Sequence, residues 1–89
     1  MITTKFILLV NFRRRITKSD TKKTNAIVAE NPDVKVISID WTLGRYDAIL
    51  IAEVPDEVTW LKFVQPLSEY VQTETLVAIP REEAVIILE

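Results

Sequence analysis

Apolar residues occupy both parities of residues 5–12, with Phe6, Leu8, Val10 and Phe12 on one side of an extended chain and Ile7, Leu9 and Asn11 on the other. A strand with that pattern is covered on both faces, which predicts a central place in its sheet. Residues 34–42 predict a second strand. Strict alternation puts Lys35, Ile37, Ile39 and Trp41 on one of its faces, and Val34, Val36, Ser38, Asp40 and Thr42 on the other. Leu43-Gly44-Arg45 then makes a tight connection, with Gly44 free to take a positive φ, and residues 46–54 form a third strand, giving a hairpin. Residues 71–79 predict a fourth strand ended by Pro80, and the wholly apolar run Ala84–Leu88 predicts a short fifth one.

Two helices separate these strands. Residues 19–30 suit a short helix capped by Ser19 or Asp20 and stopped by Asn31-Pro32, with a thin apolar stripe at Ala26, Ile27, Val28 and Ala29. Pro55-Asp56-Glu57 has the character of a helix first turn, and Val58, Leu61, Val64 and Leu67 follow at helical spacing beside Trp60. Pro66 predicts a kink or break near residues 63–65. The order β-α-β-β-α-β predicts one α+β domain over residues 1–89, a ferredoxin-like antiparallel sheet of order 4-1-3-2 with both helices on one face and the C-terminal strand added.

A sheet covered by helices on one side only should be polar on the other. Here it is not. Ala48 and Ala52 flank Leu50 on one side of the third strand, and such small residues let helices approach, so that side faces the helices. The other side carries Ile49 and Ile51, joined by Ile7, Leu9, Ile37, Ile39, Trp41, Leu76 and Ala78. A patch of that extent needs a cover. A second copy of the same sheet supplies it most simply, so the expected partner is the chain itself, paired face to face as a dimeric α+β barrel. The apolar tail is then expected to add to the second strand of the partner subunit, closing an open edge.

Composition narrows the chemistry. The chain has no cysteine and no histidine, which excludes disulfides, thiolate nucleophiles, imidazole bases and the usual zinc and haem ligand sets. No carboxylates stand at a metal-ligand spacing, so neither a metal nor a cofactor is expected. No apolar run approaches the ~20 residues of a membrane span, and the N-terminus lacks signal-peptide features, so a cytoplasmic protein without membrane association is expected. Residues 13–23 carry net charge +5 and the remainder −7, a basic loop on an acidic body. No aromatic residue is interleaved in that loop, and the acidic body repels phosphates. The loop is therefore expected to be mobile and solvated, with no nucleic-acid partner.

The string Trp41-Thr42-Leu43-Gly44-Arg45-Tyr46-Asp47, continued by residues 48–54, Pro55-Asp56 and Thr73-Glu74-Thr75-Leu76, resembles the GYD domain family, over roughly residues 5–12 and 35–80. The segment between the first two strands is short and basic for that family, and the tail is unusually apolar. The resemblance implies a dimeric α+β barrel and brings no activity with it.

In sheet order 4-1-3-2, Asn11, Trp41, Asp47 and Glu74 meet at one edge, and by parity all point to the barrel side, with Arg13 in reach. A carboxylate that interrupts an apolar face is costly unless bonded or wet. The five residues therefore form either a small-molecule pocket at the barrel rim or a polar network closing the dimer seam. Tyr46 falls on the helix-side parity and is expected to pack in the core. The function expected is a sensor or carrier that binds a small molecule. The alternatives are a cofactor-free oxygenase, isomerase or decarboxylase using Asp47 or Glu74 as general base, and a purely structural oligomerisation module.

Overall fold

A computed structural model describes residues 3–88. The chain runs β1 (Thr4–Phe12), α1 (Lys18–Glu30), β2 (Lys35–Trp41), β3 (Ala48–Val54), α2 (Glu57–Val64), a 3-10 segment (Gln65–Glu69), β4 (Val71–Ala78) and α3 (Arg81–Ile87). The strands lie in the order β2-β3-β1-β4, all antiparallel, as the topology predicts. Strand β1 is central: it pairs from Thr4↔Val54 to Val10↔Ala48 on one edge and from Lys5↔Ala78 to Phe12↔Val71 on the other.

One face of the sheet is buried, and it is the face marked by the small residues of β3. Phe6, Leu8 and Val10 alternate inward from β1, and Ala48, Leu50, Ala52 and Val54 from β3. Helix α2 covers them with an aromatic cluster. Trp60 stacks on Phe6 with centroids 5.0 Å apart and planes 6° from parallel, and Phe63 leans on Trp60 at 5.4 Å. The indole Nε1 donates to Thr75 Oγ1 at 3.0 Å, which satisfies its one polar atom. Asp56 caps α2 by accepting the Thr59 amide at 2.8 Å. The α-helix gives way to the 3-10 segment at Gln65, one residue before Pro66, close to the predicted break.

Helix α1 is held differently. Its N-cap is Thr17, not Ser19 or Asp20, because Asp20 serves as the third helical residue of a capping box. The Asp20 amide donates to Thr17 Oγ1, while Asp20 Oδ2 accepts from the Thr17 amide at 2.9 Å. Arg14 completes the knot with a two-pronged contact, Nη1 to Oδ2 at 2.6 Å and Nη2 to Oδ1 at 2.9 Å. The expected mobile basic loop is therefore not what forms. Residues 18–23 are the first turns of α1, Arg14 is tied to Asp20, and Arg13 Nε donates to the carbonyls of Ser68 and Val71.

Two further expectations are corrected. In β2 the register shifts between Val36 and Ser38, where Val36 pairs with Ala52 but Ser38 with Ile51. This bulge absorbs Ile37 and reverses the parity beyond it. Ile39 and Trp41 therefore pair with Leu50 and Ala48 on the helix side, and Ser38 and Asp40 take the opposite face. The C-terminal run is a helix, α3, and not a fifth strand, so it adds to no sheet edge. Pro80 precedes it and Glu82 and Glu83 occupy its first turn, which are helix-start features.

Two outcomes follow from this packing. Leu8 is fully buried and Leu61 is 56% exposed on α2. Leu8→Ala should lower unfolding free energy by about 2–5 kcal/mol, while Leu61→Ala should stay within about 0.5 kcal/mol, both read from denaturant melts. Asp20 gives a pH signature. The Arg14 contact, then the Thr17 amide, holds its carboxyl well below the usual range, against the opposing effect of burial. A depressed carboxyl stabilises the fold fully above its unfolded value near ~4, and that contribution drains away as pH falls toward the folded value. Melts between neutral pH and pH of about 3 should show a shallower acid loss in Asp20→Asn than in the parent.

Candidate functional site

No helix among the described residues covers the sheet face opposite α1 and α2. Ile7, Leu9, Ile49 and Ile51 are partly exposed there, and Leu76 is 43% exposed. At the end of the sheet where β1 finishes, this apolar strip stops at a polar rim. The rim forms a cleft of about 200 Å³ lined by Leu9, Asn11, Arg45, Tyr46, Gln72, Thr73 and Glu74. Asn11 and Gln72 are direct cross-strand partners, as are Leu9 and Glu74, so their side chains rise from the same face.

The β2–β3 connection brings the remaining rim residues in. The loop is pinned by the Thr42 amide donating to the Asp47 carbonyl at 2.9 Å and by Thr42 Oγ1 donating to the Tyr46 carbonyl at 2.6 Å. Gly44 turns it with φ of +126°, a conformation that other residues rarely take. The Tyr46 hydroxyl then donates to Glu74 Oε2 at 2.8 Å. That acceptor, with some desolvation, pushes the tyrosine's ionisation above its ordinary value, and the neighbouring Arg45 opposes the shift. The Arg45 guanidinium lies 5.8 Å from the Tyr46 ring centre.

The five residues expected at this rim do not all arrive. Asn11 and Glu74 line the cleft. Asp47 stands beside it, but its Oδ2 accepts the Phe12 amide at 2.8 Å, so the carboxylate closes the end of the β1 ladder. Arg13 is occupied by the Ser68 and Val71 carbonyls. Trp41 has crossed to the helix side, where its ring meets Phe12 edge-on at 5.2 Å. Tyr46 makes the opposite correction: it belongs to the rim and not to the core. Strand alternation does not apply to residues 46 and 47, which lie in the loop before β3 starts at Ala48. Arg45 and Gln72 were not foreseen either. Gln72 was legible, since it shares the parity of Glu74 one pair further along β4.

Among the described residues no cluster of acidic side chains is arranged to hold a metal ion. Among the described residues no helix is long and apolar enough to cross a membrane.

The features at this rim, a glycine turn followed by Tyr46 and Asp47 latched to two other strands, lie inside a match to the GYD domain over residues 10–88. The chain belongs to the GYD domain family. No curated protein matches it in sequence. Among solved structures, this GYD chain is similar to a transcriptional regulator from Neisseria meningitidis in complex with L-Met, at 21% identity and TM-score 0.60, over 85% of this chain and 49% of that one. It spans about half the length of that regulator. It is also similar to a dabb family protein with a ferredoxin-like fold from Mesorhizobium loti, at 7% identity and TM-score 0.58, over 88% of this chain and 96% of that one. FFRP-DM1 matches at 22% identity and TM-score 0.54, over 88% of this chain and the whole of its own. At these identities the likeness is one of fold.

The Tyr46–Glu74 contact is directly measurable in this GYD domain. In an absorbance titration Tyr46 should ionise above the ordinary tyrosine range. Glu74→Gln, which removes the charged acceptor, should bring that ionisation down toward the ordinary value of about 10.

Proposed function

We propose that this GYD domain is a self-pairing small-molecule binder, a sensor or carrier in which two open sheet faces meet and the ligand sits at the polar rim of the resulting barrel. The observation that carries this reading is the uncovered strip of Ile7, Leu9, Ile49, Ile51 and Leu76 ending directly at the Tyr46–Glu74 contact. An apolar face of this kind is stabilised by a second copy. Its end then becomes a partly enclosed cleft with an apolar floor and a few convergent polar groups, which is how ligand pockets are built.

The groups at the rim support one ligand class. Arg45 offers a guanidinium for an anionic group, Glu74 a carboxylate for a cationic one, and Asn11 and Gln72 offer amides for either. A small molecule carrying both signs, such as an amino acid, fits this set. The Neisseria regulator, with which this chain shares a fold, is a complex with L-Met. The enzyme alternative has less behind it, since the Asp47 carboxylate is committed to the Phe12 amide.

Native mass spectrometry of freshly purified protein tests both halves. The expected spectrum shows a dimer, with added mass for a small ligand that is lost in Glu74→Gln. Ile49→Asp, which drives a charge into the apolar face, should break the pairing and leave monomer or aggregate. A well-folded parent that stays monomeric at micromolar concentration in light scattering overturns the pairing. A dimer that takes up no free amino acid in a calorimetric titration overturns the ligand.

A further inference from the structure

The helix side of the sheet holds a cavity of about 180 Å³ between α1 and the strands. Leu8, Val10 and Leu50 form its floor, and Phe12, Ile39 and Trp41 close its sides. The sequence of α1 explains why it is there. The inward positions of the N-terminal half of α1 are Asp20 and Thr24, short polar residues, and the first large apolar side chain against the core is Ile27. The α1 side chains at these inward positions are too short to fill the space above Leu8 and Leu50. A well-packed interior has few voids of this size, and an apolar one near 150 Å³ takes up a single benzene ring.

The polar wall of the cavity has a defined direction. Thr24 Oγ1 donates to the Asp20 carbonyl at 3.0 Å, which spends its proton. The 2.5 Å contact between Thr24 Oγ1 and the Tyr70 hydroxyl must then be donated by Tyr70. Tyr70 has thus spent its proton as well, and its oxygen keeps acceptor capacity. The Asp20 carboxylate is not available, because Arg14 and Thr17 take both of its oxygens. Thr21 and Asn25 complete the polar edge, the Thr21 hydroxyl donating to the Lys18 carbonyl at 2.7 Å. Next to the apolar floor the wall presents the Tyr70 oxygen as an acceptor and offers no free charge.

We infer that this cavity is a second binding site, on the opposite face of the sheet from the rim, for a neutral single-ring aromatic molecule bearing one hydrogen-bond donor, such as a phenol. The ring occupies the space bounded by Leu8, Leu50, Phe12 and Trp41, and its O–H extends the chain of bonds through Tyr70 and Thr24 to the Asp20 carbonyl. Trp41 and Ile39, 67% and 46% exposed, stand at the open side through which the ring enters. The cavity lies within one chain, so the inference stands apart from the pairing and the rim ligand proposed above.

Phenol and toluene, nearly equal in shape, are the probes, titrated separately into the full chain and followed by amide NMR shifts. Phenol should saturate, with the shifts concentrated at Leu8, Val10 and Leu50. Tyr70→Phe removes the acceptor and should lower the phenol-to-toluene affinity ratio by about 2- to 10-fold, the range of one neutral hydrogen bond. Comparing that ratio between variant and parent cancels the greater intrinsic apolarity of toluene. Ala48→Leu projects a larger side chain into the cavity and should abolish phenol binding. If that variant does not fold, Trp41→Ala removes an exposed wall and should weaken binding without touching the core. The inference fails if neither probe saturates at millimolar concentration. It fails equally if the shifts centre on Leu9 and Glu74, if a folded Ala48→Leu binds phenol as the parent does, or if the affinity ratio is unmoved in Tyr70→Phe.

Discussion

Strand β1 is paired along both edges and apolar on both faces, so the other elements are placed by the need to cover it. The two faces are covered very unequally. Toward the helices, Phe6 and Leu8 are sealed, chiefly through the stack of Phe6, Trp60 and Phe63. Burying large aromatics contributes several kcal/mol apiece, so α2 is fixed to β1 and β4 by its own hydrophobic face. Toward the other side Ile7 and Leu9 are left partly exposed by the described residues. The same strand thus supplies both a sealed part of the core and a partly exposed apolar strip.

Helix α1 illustrates a second way of holding an element. It brings little apolar area to the sheet: Asp20 is its one buried residue, and Ile27 and Val28 pack only partly. Its position is set instead by the knot of Arg14, Thr17 and Asp20, a charged cluster whose carboxylate has four donor contacts. Such clusters fix geometry through directional bonds and do not fill volume. A helix held at its end by bonds, rather than along its length by packing, leaves space beneath it. The cavity over Leu8 and Leu50 is the direct consequence, and its polar edge is formed by the same turn of helix.

Wherever periodicity had a single reading, the sequence sufficed. The double-sided apolarity of β1, the small residues of β3, the break before Pro66 and the strand order all follow from pattern and topology rules. Two departures, at Trp41 and Tyr46, share one cause: strict alternation does not continue past the point where the backbone keeps it. The bulge at Ile37 shifts the register by one residue and carries Trp41 to the opposite face; nothing in the string VKVISIDW announces it, since both parities are plausible there. Strand parity likewise does not govern Tyr46, which lies in the loop before β3. The tail is a different case. An all-apolar run of five residues has no period, so it fits strand or helix equally. Pro80, Glu82 and Glu83 just before it already favoured the helix.

The string from Gly44 to Asp47 acts as a brace. A hairpin at the edge of a sheet is anchored along β3 but free at its tip, and β2 has no partner on its outer edge. Gly44, Tyr46 and Asp47 each remove some of that freedom in a different way. Gly44 permits the turn that lets the loop fold back. Asp47 reaches β1 twice, through its amide to the Val10 carbonyl at 2.8 Å and through its carboxylate to the Phe12 amide. Tyr46 spans across β1 to Glu74 on β4. Three strands are thereby joined at one corner by side chains and not only by the ladder. A serine or alanine at position 46 or 47 has neither the reach nor the acceptor geometry to do this. The residues that give the GYD family its recognisable string are thus explained by mechanics at this corner, and the chemistry of the rim is assembled on that brace.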